Sequence, residues 1–296
     1  GYLWWYVDAL SDCGRYGLTV IAFVGSVFSS YYHWARQRGH ADPENHCCIN
    51  VCLYGPGVRR WTMTEHSRAS MSRSVDHFAV GPSALHWDGS ALTITVDEWS
   101  NPLPQRVRGR IRLHPGALFN QTWPLDDDAR HHWGPLAPAS RVEVDLDHPD
   151  LRWEGAGYFD SNEGSEPIER PFSSWDWSRS TLADGSSAVV YDVRQKAGAD
   201  RLLALRFRPD GAVESFAADA RHPLSRTFWR VPRHMRSADA PQVVETLEDT
   251  PFYQRAVLDA TVCGERATTF HESLDVGKLE RLSTRLMLPW RMPRVR

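Results

Sequence analysis

The chain is poor in cysteine. Five cysteines, Cys13, Cys47, Cys48, Cys52 and Cys263, occur in 296 residues. An odd number without regular spacing does not form the disulfide framework of a small secreted domain, and a reducing compartment is the simpler reading. Cys47, Cys48 and Cys52 also lack the paired C-x-x-C spacing of a structural zinc site and read as small buried residues. There is no excess of positive charge: 34 Lys and Arg stand against 37 Asp and Glu, a net charge of −3. That balance argues against a general nucleic-acid binder. Nor is there a long apolar run. The most apolar stretch, Gly17 to Phe28, is too short to span a bilayer as a helix, and its β-branched residues make it a buried strand. No basic segment followed by an apolar stretch and a cleavage site marks a leader, and the chain opens at Gly1 rather than Met, which suggests a missing natural start. G-x-S-x-G, P-loop and dinucleotide-binding glycine patterns are absent from any strand-to-helix context, so nucleotide cofactors and phosphoryl transfer have no support.

What the chain does have is aromatic residues and turn formers: 13 Trp, 19 Pro and 20 Gly. This mix disfavours long helices and favours many short strands. Apolar residues at 42% are enough for a packed core, and the length suggests two domains. Strand-like runs recur at Ile49 to Tyr54, Ala91 to Asp97, Val107 to His114, Arg141 to Asp147, Ser187 to Arg194, Arg201 to Arg208 and Ala256 to Val262. Leu92 and Ile94 share one face by period two, as do Val142, Val144 and Leu146. Asp88-Gly89, Asp184-Gly185 and Asp210-Gly211 are hairpin signals between such runs. Only Tyr32 to Arg38 and Asp275 to Leu286 carry helical patterns. The expected class is all-β, an antiparallel sandwich or closed barrels.

A polar, proline-containing linker, Asn162 to Ser174, divides the chain into near-equal halves, 1–165 and 166–296, each the size of one small ligand-holding barrel. Pro115 to Ser140, with His131, His132, Trp133 and several prolines, reads as a loop over a pocket mouth. The arginine-rich tail Pro289 to Arg296 reads as a solvated tail, with contact to anionic lipid as the lesser alternative.

The region His131 to Trp177 concentrates chemistry. Within Arg152 to Asp160, Tyr158 and Asp160 share a strand face by period two, and Gly155 and Gly157 leave room for a cavity. By pattern alone the plainer reading, an Asp at a strand end among aromatic core fillers, carries more weight. Asp126, Asp127 and Asp128 with His131 and His132 could ligate a divalent ion, but no H-E-x-x-H spacing is present and a solvated loop is the better reading.

Gly1 to Tyr32 closely resembles the opening motif of the carotenoid 1,2-hydratases, also called hydroxyneurosporene synthases. The resemblance continues through Pro43–Glu44–Asn45–His46, Ile49–Asn50–Val51, Tyr54–Gly55, Trp61–Thr62–Met63–Thr64–Glu65 and Trp87–Asp88–Gly89. It goes on through Gly157–Tyr158–x–Asp160–x–Asn162–x–Gly164, Trp175–x–Trp177–Ser178–Arg179 and Leu288–Pro289–x–Arg291–Met292–Pro293–Arg294. These long ordered words cover essentially the whole chain. It departs from the pattern at Cys13, where an acidic residue is usual, and at Ser30, where a proline is usual.

The resemblance implies tandem lipocalin-like antiparallel β-barrels and water addition across the terminal C1–C2 double bond of acyclic carotenoids such as neurosporene and lycopene. It implies no organic cofactor, no obligatory metal and a role in carotenoid biosynthesis of phototrophic bacteria. The family's catalytic positions match His131, Trp133, Tyr158 and Asp160, and Trp153, Trp175 and Trp177 are read as substrate-binding aromatics. The implied partners are the carotenoid and water, with no nucleic acid. The protein is expected in the cytoplasm, with peripheral attachment to the membrane that holds its substrate. The chemistry is coherent: an isolated alkene is a weak base and needs a dry carboxylic acid, which burial of Asp160 supplies. Trp133 and Tyr158 can stabilise the tertiary cation, and His131, or the adjacent His132, can orient or deprotonate the water. Rival readings are a terpene cyclase on the same fold, a non-catalytic carotenoid carrier, and a carbohydrate enzyme using Asp160 and Glu163.

Overall fold

The computed structural model describes residues 1–295. The chain forms two compact units. One comprises Gly1–Trp123, His131–Pro167 and the chain from Leu286 onward; the other comprises Pro124–Arg130 and Ile168–Arg285.

The first unit is built from β1 (Tyr2–Ser11), β2 (Gly17–Val24), α1 (Ser30–Gln37), β3 (Cys47–Tyr54), β4 (Arg60–Thr62), β5 (Glu65–His66), β6 (Met71–Arg73), β7 (His77–Val80), β8 (Ser83–Trp87), β9 (Leu92–Trp99), β10 (Arg106–Pro115), β11 (Trp123–Pro124), β12 (His131–His148) and β13 (Leu151–Gly164). Its main sheet runs β5-β3-β2-β1-β13-β12-β10-β9-β8-β7-β6. The sheet curls until Thr62 on β4 bridges Ser100 just past β9 and the Asn101 amide donates to the Trp61 carbonyl at 3.0 Å. One face of the curled sheet encloses an apolar core that includes Val7, Val20, Ile94, Val142 and Phe159. On β9 the alternation read from the sequence holds, with Leu92, Ile94 and Val96 buried and Thr95 exposed. Strands β2 and β3 are buried along their whole length, which is why they read as continuous apolar runs. The turn between β8 and β9 uses Gly89 at φ 93°, a conformation that glycine takes without steric cost.

The second unit contains β14 (Phe172–Thr181), β15 (Ser187–Gln195), β16 (Arg201–Phe207), β17 (Val213–Ser215), β18 (Arg221–Pro223), β19 (His234–Arg236), β20 (Gln242–Asp249), β21 (Tyr253–Val262) and β22 (Glu265–Asp275). Its sheet runs β17-β16-β15-β14-β22-β21-β20, with β18 and β19 as a separate pair. Two short helices follow, α2 (Val276–Glu280) and α3 (Leu282–Arg291), and then β23 (Arg294–Val295). Asp275 caps α2 by accepting from the Lys278 amide. Strand β23 returns to the first unit and pairs parallel with β5, Arg294 opposite Glu65.

Two expectations are corrected. Residues 131–140 are not a loop but the first part of β12. The ladder to β13 shifts register between Pro135 and Ala137 and again between Ala137 and Ser140, so bulges absorb the prolines that suggested irregular chain. The basic tail is not a free solvated segment either. The Arg291 guanidinium lies 4.5 Å from the Trp61 ring centre. Arg294 pairs with buried Glu65, which also bonds His46 Nδ1 at 2.8 Å. Arg296 lies outside the described residues.

Candidate active site

β13 is the middle strand of three. On one side β1 pairs with it, Tyr2 opposite Gly164 through Ser11 opposite Gly155. On the other side β12 pairs His131 with Gly164, Trp133 with Asn162 and Pro135 with Asp160. Directly opposed residues in a sheet point to the same face, and alternate residues share it. The register therefore assembles three rows on the face away from the apolar core: Tyr6–Asp160–Pro135, Trp4–Asn162–Trp133 and Tyr2–Gly164–His131. Successive rows are two residues, roughly 6.8 Å, apart. Tyr158 and Asp8 lie opposite each other one row further along, and both are fully buried.

Asp160 is 3% exposed. Its Oδ2 accepts from the Trp133 indole N–H at 2.7 Å and from the Tyr158 hydroxyl at 2.7 Å. Burial first, and then the neighbouring Asp160 charge, push the Tyr158 phenol well above its ordinary value, so it stays a donor. The Trp133 ring also packs on Trp123, with centroids 5.6 Å apart.

His131 is fully buried. Its Nδ1 is 2.8 Å from the Tyr2 hydroxyl, and Nε2 is 3.9 Å from Glu166 Oε1. Tyr2 is itself stacked on Trp4 at 5.0 Å and 15°. If His131 Nδ1–H donates to Tyr2, then Nε2 is the acceptor and the basic nitrogen.

His131, Trp133, Tyr158 and Asp160 thus share one buried face. His132 is on the other face of β12, half-buried and opposite Glu163, which is exposed. Asp160 and Glu163 therefore point to opposite sides of β13, and the two-carboxylate arrangement of a glycosidase is not formed by them. Trp153 lies on the face opposite Asp160, against the apolar core. Trp175 and Trp177 are buried in β14 of the second unit, Trp175 with its ring 6.3 Å from that of Tyr191. Asp126 accepts from the Arg130 amide at 3.0 Å, Asp127 pairs with Arg201, and Asp128 is exposed. Among the described residues no group of three or more His, Cys, Asp or Glu is placed to hold a metal ion. Cys47, Cys48 and Cys52 are free thiols, all buried.

Sequence reasoning missed Tyr2, Trp4, Tyr6, Asp8, Asn162 and Gly164 as members of this face. The signal was present as an alternating Tyr–x–Trp–x–Tyr–x–Asp run from residue 2 to residue 8. Only the pairing to β13 shows which side it faces.

Comparison with known proteins agrees with this picture. Residues 20–296 match the family model of the carotenoid hydratase CrtC. An acyclic carotenoid 1,2-hydratase of Rubrivivax gelatinosus is 57% identical over 99% of this chain and 73% of its own length. One from Thiocapsa roseopersicina is 52% identical over 100% of this chain and 73% of its own. One from Cereibacter sphaeroides is 40% identical over 93% and 98%. Among solved structures, an AttH protein of Nitrosomonas europaea superposes with a TM-score of 0.66 at 14% identity, over 93% of this chain and 92% of that one. The kievitone hydratase of Nectria haematococca gives 0.56 at 10% identity, over 92% and 88%. These structures share the fold, which is all-β and lipocalin-like. With matches of this extent and identity, the chain belongs to the carotenoid hydratase CrtC family.

Proposed function

We propose that this protein is an acyclic carotenoid 1,2-hydratase that works by acid catalysis from Asp160, with neurosporene or lycopene as substrate. One observation carries the mechanism: a buried carboxyl group whose Oδ2 accepts from Trp133 and Tyr158. Two donors occupy the lone pairs of Oδ2, so the acid carries its proton on Oδ1. Protonation of the alkene breaks the Oδ1–H bond, forms a C2–H bond and leaves a tertiary cation at C1. The Trp133 and Tyr158 donors then stabilise the carboxylate as it forms. Aromatic faces on the same side of the sheet stabilise the cation, each by roughly 0.5–2 kcal/mol. A water oxygen bonds to C1 and gives one proton to His131. Return of that proton to Asp160 through solvent restores both groups, and the sum is the addition of one water. The step is redox-neutral and needs no organic cofactor.

Trp153 packs in the apolar core on the face away from Asp160 and is not assigned to the polyene. The first unit carries the acid and the imidazole, and the second is the companion barrel of the tandem. No helix among the described residues is long and apolar enough to cross a membrane. Peripheral association with a lipid surface is supported by α3, where Leu282, Leu286 and Trp290 form an exposed stripe at four-residue spacing.

The test is turnover of lycopene in detergent micelles in water labelled with oxygen-18. A hydratase puts the label in a tertiary alcohol, a cyclase gives an unlabelled isomer, and a carrier returns the pigment unchanged. Asp160→Asn keeps the shape but has no proton to give, so it is expected to abolish product formation. Full activity in that variant overturns the mechanism.

A further inference from the structure

Asn162 stands in the row between the acid and the imidazole, opposite Trp4 on β1 and Trp133 on β12. It is 3% exposed, and among the described residues its Nδ2 has no hydrogen-bond partner. An amide N–H closed in by two indoles without an acceptor is costly, so native proteins rarely keep one unless something else fills the place. Threonine, valine or isoleucine would fit the strand better at this position. The amide also sits one row from Asp160 and one row from His131, roughly 6.8 Å along the strand in each direction. That is where an oxygen must lie if it attacks the carbon next to the one just protonated and passes its own proton to the imidazole.

We propose that Asn162 holds the nucleophilic water. Nδ2–H donates to one lone pair of the water oxygen, one water O–H donates to His131, and the second lone pair is left to attack C1. The bond from oxygen to C1 forms as the water O–H breaks, and the proton passes to the imidazole. Asn162 thereby decides the fate of the cation. When the water is in place the cation is captured; when it is not, the C2 proton returns to the Asp160 carboxylate and the alkene is regenerated. This rests on the hydratase reading above, and its test separates the two.

The experiment runs the purified full chain with lycopene micelles in deuterium oxide. It measures hydrated product and deuterium retained in recovered alkene. Asn162→Leu, which fills the space without a donor, is expected to lower hydration at least tenfold. It should raise the ratio of alkene deuteration to hydration at least tenfold, because Asp160 still makes the cation. Asn162→Ser, which keeps a donor, is expected to restore most of the wild-type ratio. If the leucine variant does not fold, alanine takes its place, and alanine must raise the ratio where serine does not. A ratio unchanged in the donor-free variant, with both processes reduced together, makes Asn162 a packing residue and overturns the proposal. A wild-type protein that neither hydrates nor deuterates overturns the hydratase reading instead.

Discussion

Gly164 and His131 oppose each other across the β12–β13 pair so closely that a Cβ on Gly164 would lie 2.6 Å from His131 Nδ1. The same atom would lie 2.5 Å from Tyr2 Cε1. These are the two side chains whose 2.8 Å hydrogen bond fixes the imidazole. Gly164→Ala must therefore push the rings apart. A displacement on the scale of 1 Å at a reacting group costs on the order of 100-fold in rate, so kcat is expected to fall by about that factor. Steady-state kinetics beside a thermal melt checks it: a large loss of melting temperature with unchanged kcat would place the strain in the fold and not in the site.

Trp133→Phe and Tyr158→Phe each remove one donor from Asp160 Oδ2 while keeping an aromatic ring. A hydrogen bond to a charged group is worth about 1.5–3 kcal/mol, so each variant should lose roughly 10- to 100-fold in kcat with KM nearly constant. Both donors serve one oxygen, so the double variant is expected to depart from additivity. Pigment-binding titrations are the control, since binding that falls in step with turnover removes the catalytic role.

Glu98 on β9 is buried with Ser83 as its donor. Burial first, with the nearby Asp97 charge assisting, pushes its carboxyl up to about 7. The unfolded chain releases this proton near pH 4.3. Between those values the folded protein binds more protons than the unfolded one, so stability falls as pH rises through the window, and the loss is complete above about pH 7. Glu98→Gln should leave stability at pH 4 nearly unchanged and raise it at pH 8 by about 3 kcal/mol. Urea melts at the two pH values decide this; equal gains at both would mean packing and not charge.

Arg294 neutralises Glu65, whose side chain is 1% exposed. Removing one member of a buried ion pair strands the other and costs about 3–5 kcal/mol. Arg294→Met is expected to destabilise by roughly that amount, and adding Glu65→Gln should recover most of it. Chemical denaturation of the two variants tests this, and a near-neutral single variant would mean that His46 alone satisfies Glu65.

The sequence made the strands legible wherever one face is wet. Leu92, Ile94 and Val96 alternate with residues outside the core, and Asp–Gly pairs mark the hairpins. Tyr158 and Asp160 were legible as face-mates for the same reason. Residues 131–140 were not, because Gly134, Pro135 and Pro138 carry loop chemistry that bulges accommodate inside a long strand. The partners of His131 were hidden as well. Tyr2 lies 129 residues away along the chain, and only the pairing of β1 with β13 brings it near. The buried Asn162 could be named as part of a motif, but its isolation among indoles is visible only in three dimensions.

Strand β23 has a consequence for how the molecule is made. The first unit holds the acid and the imidazole, yet its edge is finished by residues that follow the entire second unit. Synthesis runs from the N-terminus, so while the ribosome is still adding the later β-strands, Glu65 waits buried or exposed without its guanidinium. Maturation of the acid-bearing unit therefore waits until Arg294 has been made, and a stall anywhere before it leaves that unit unsealed.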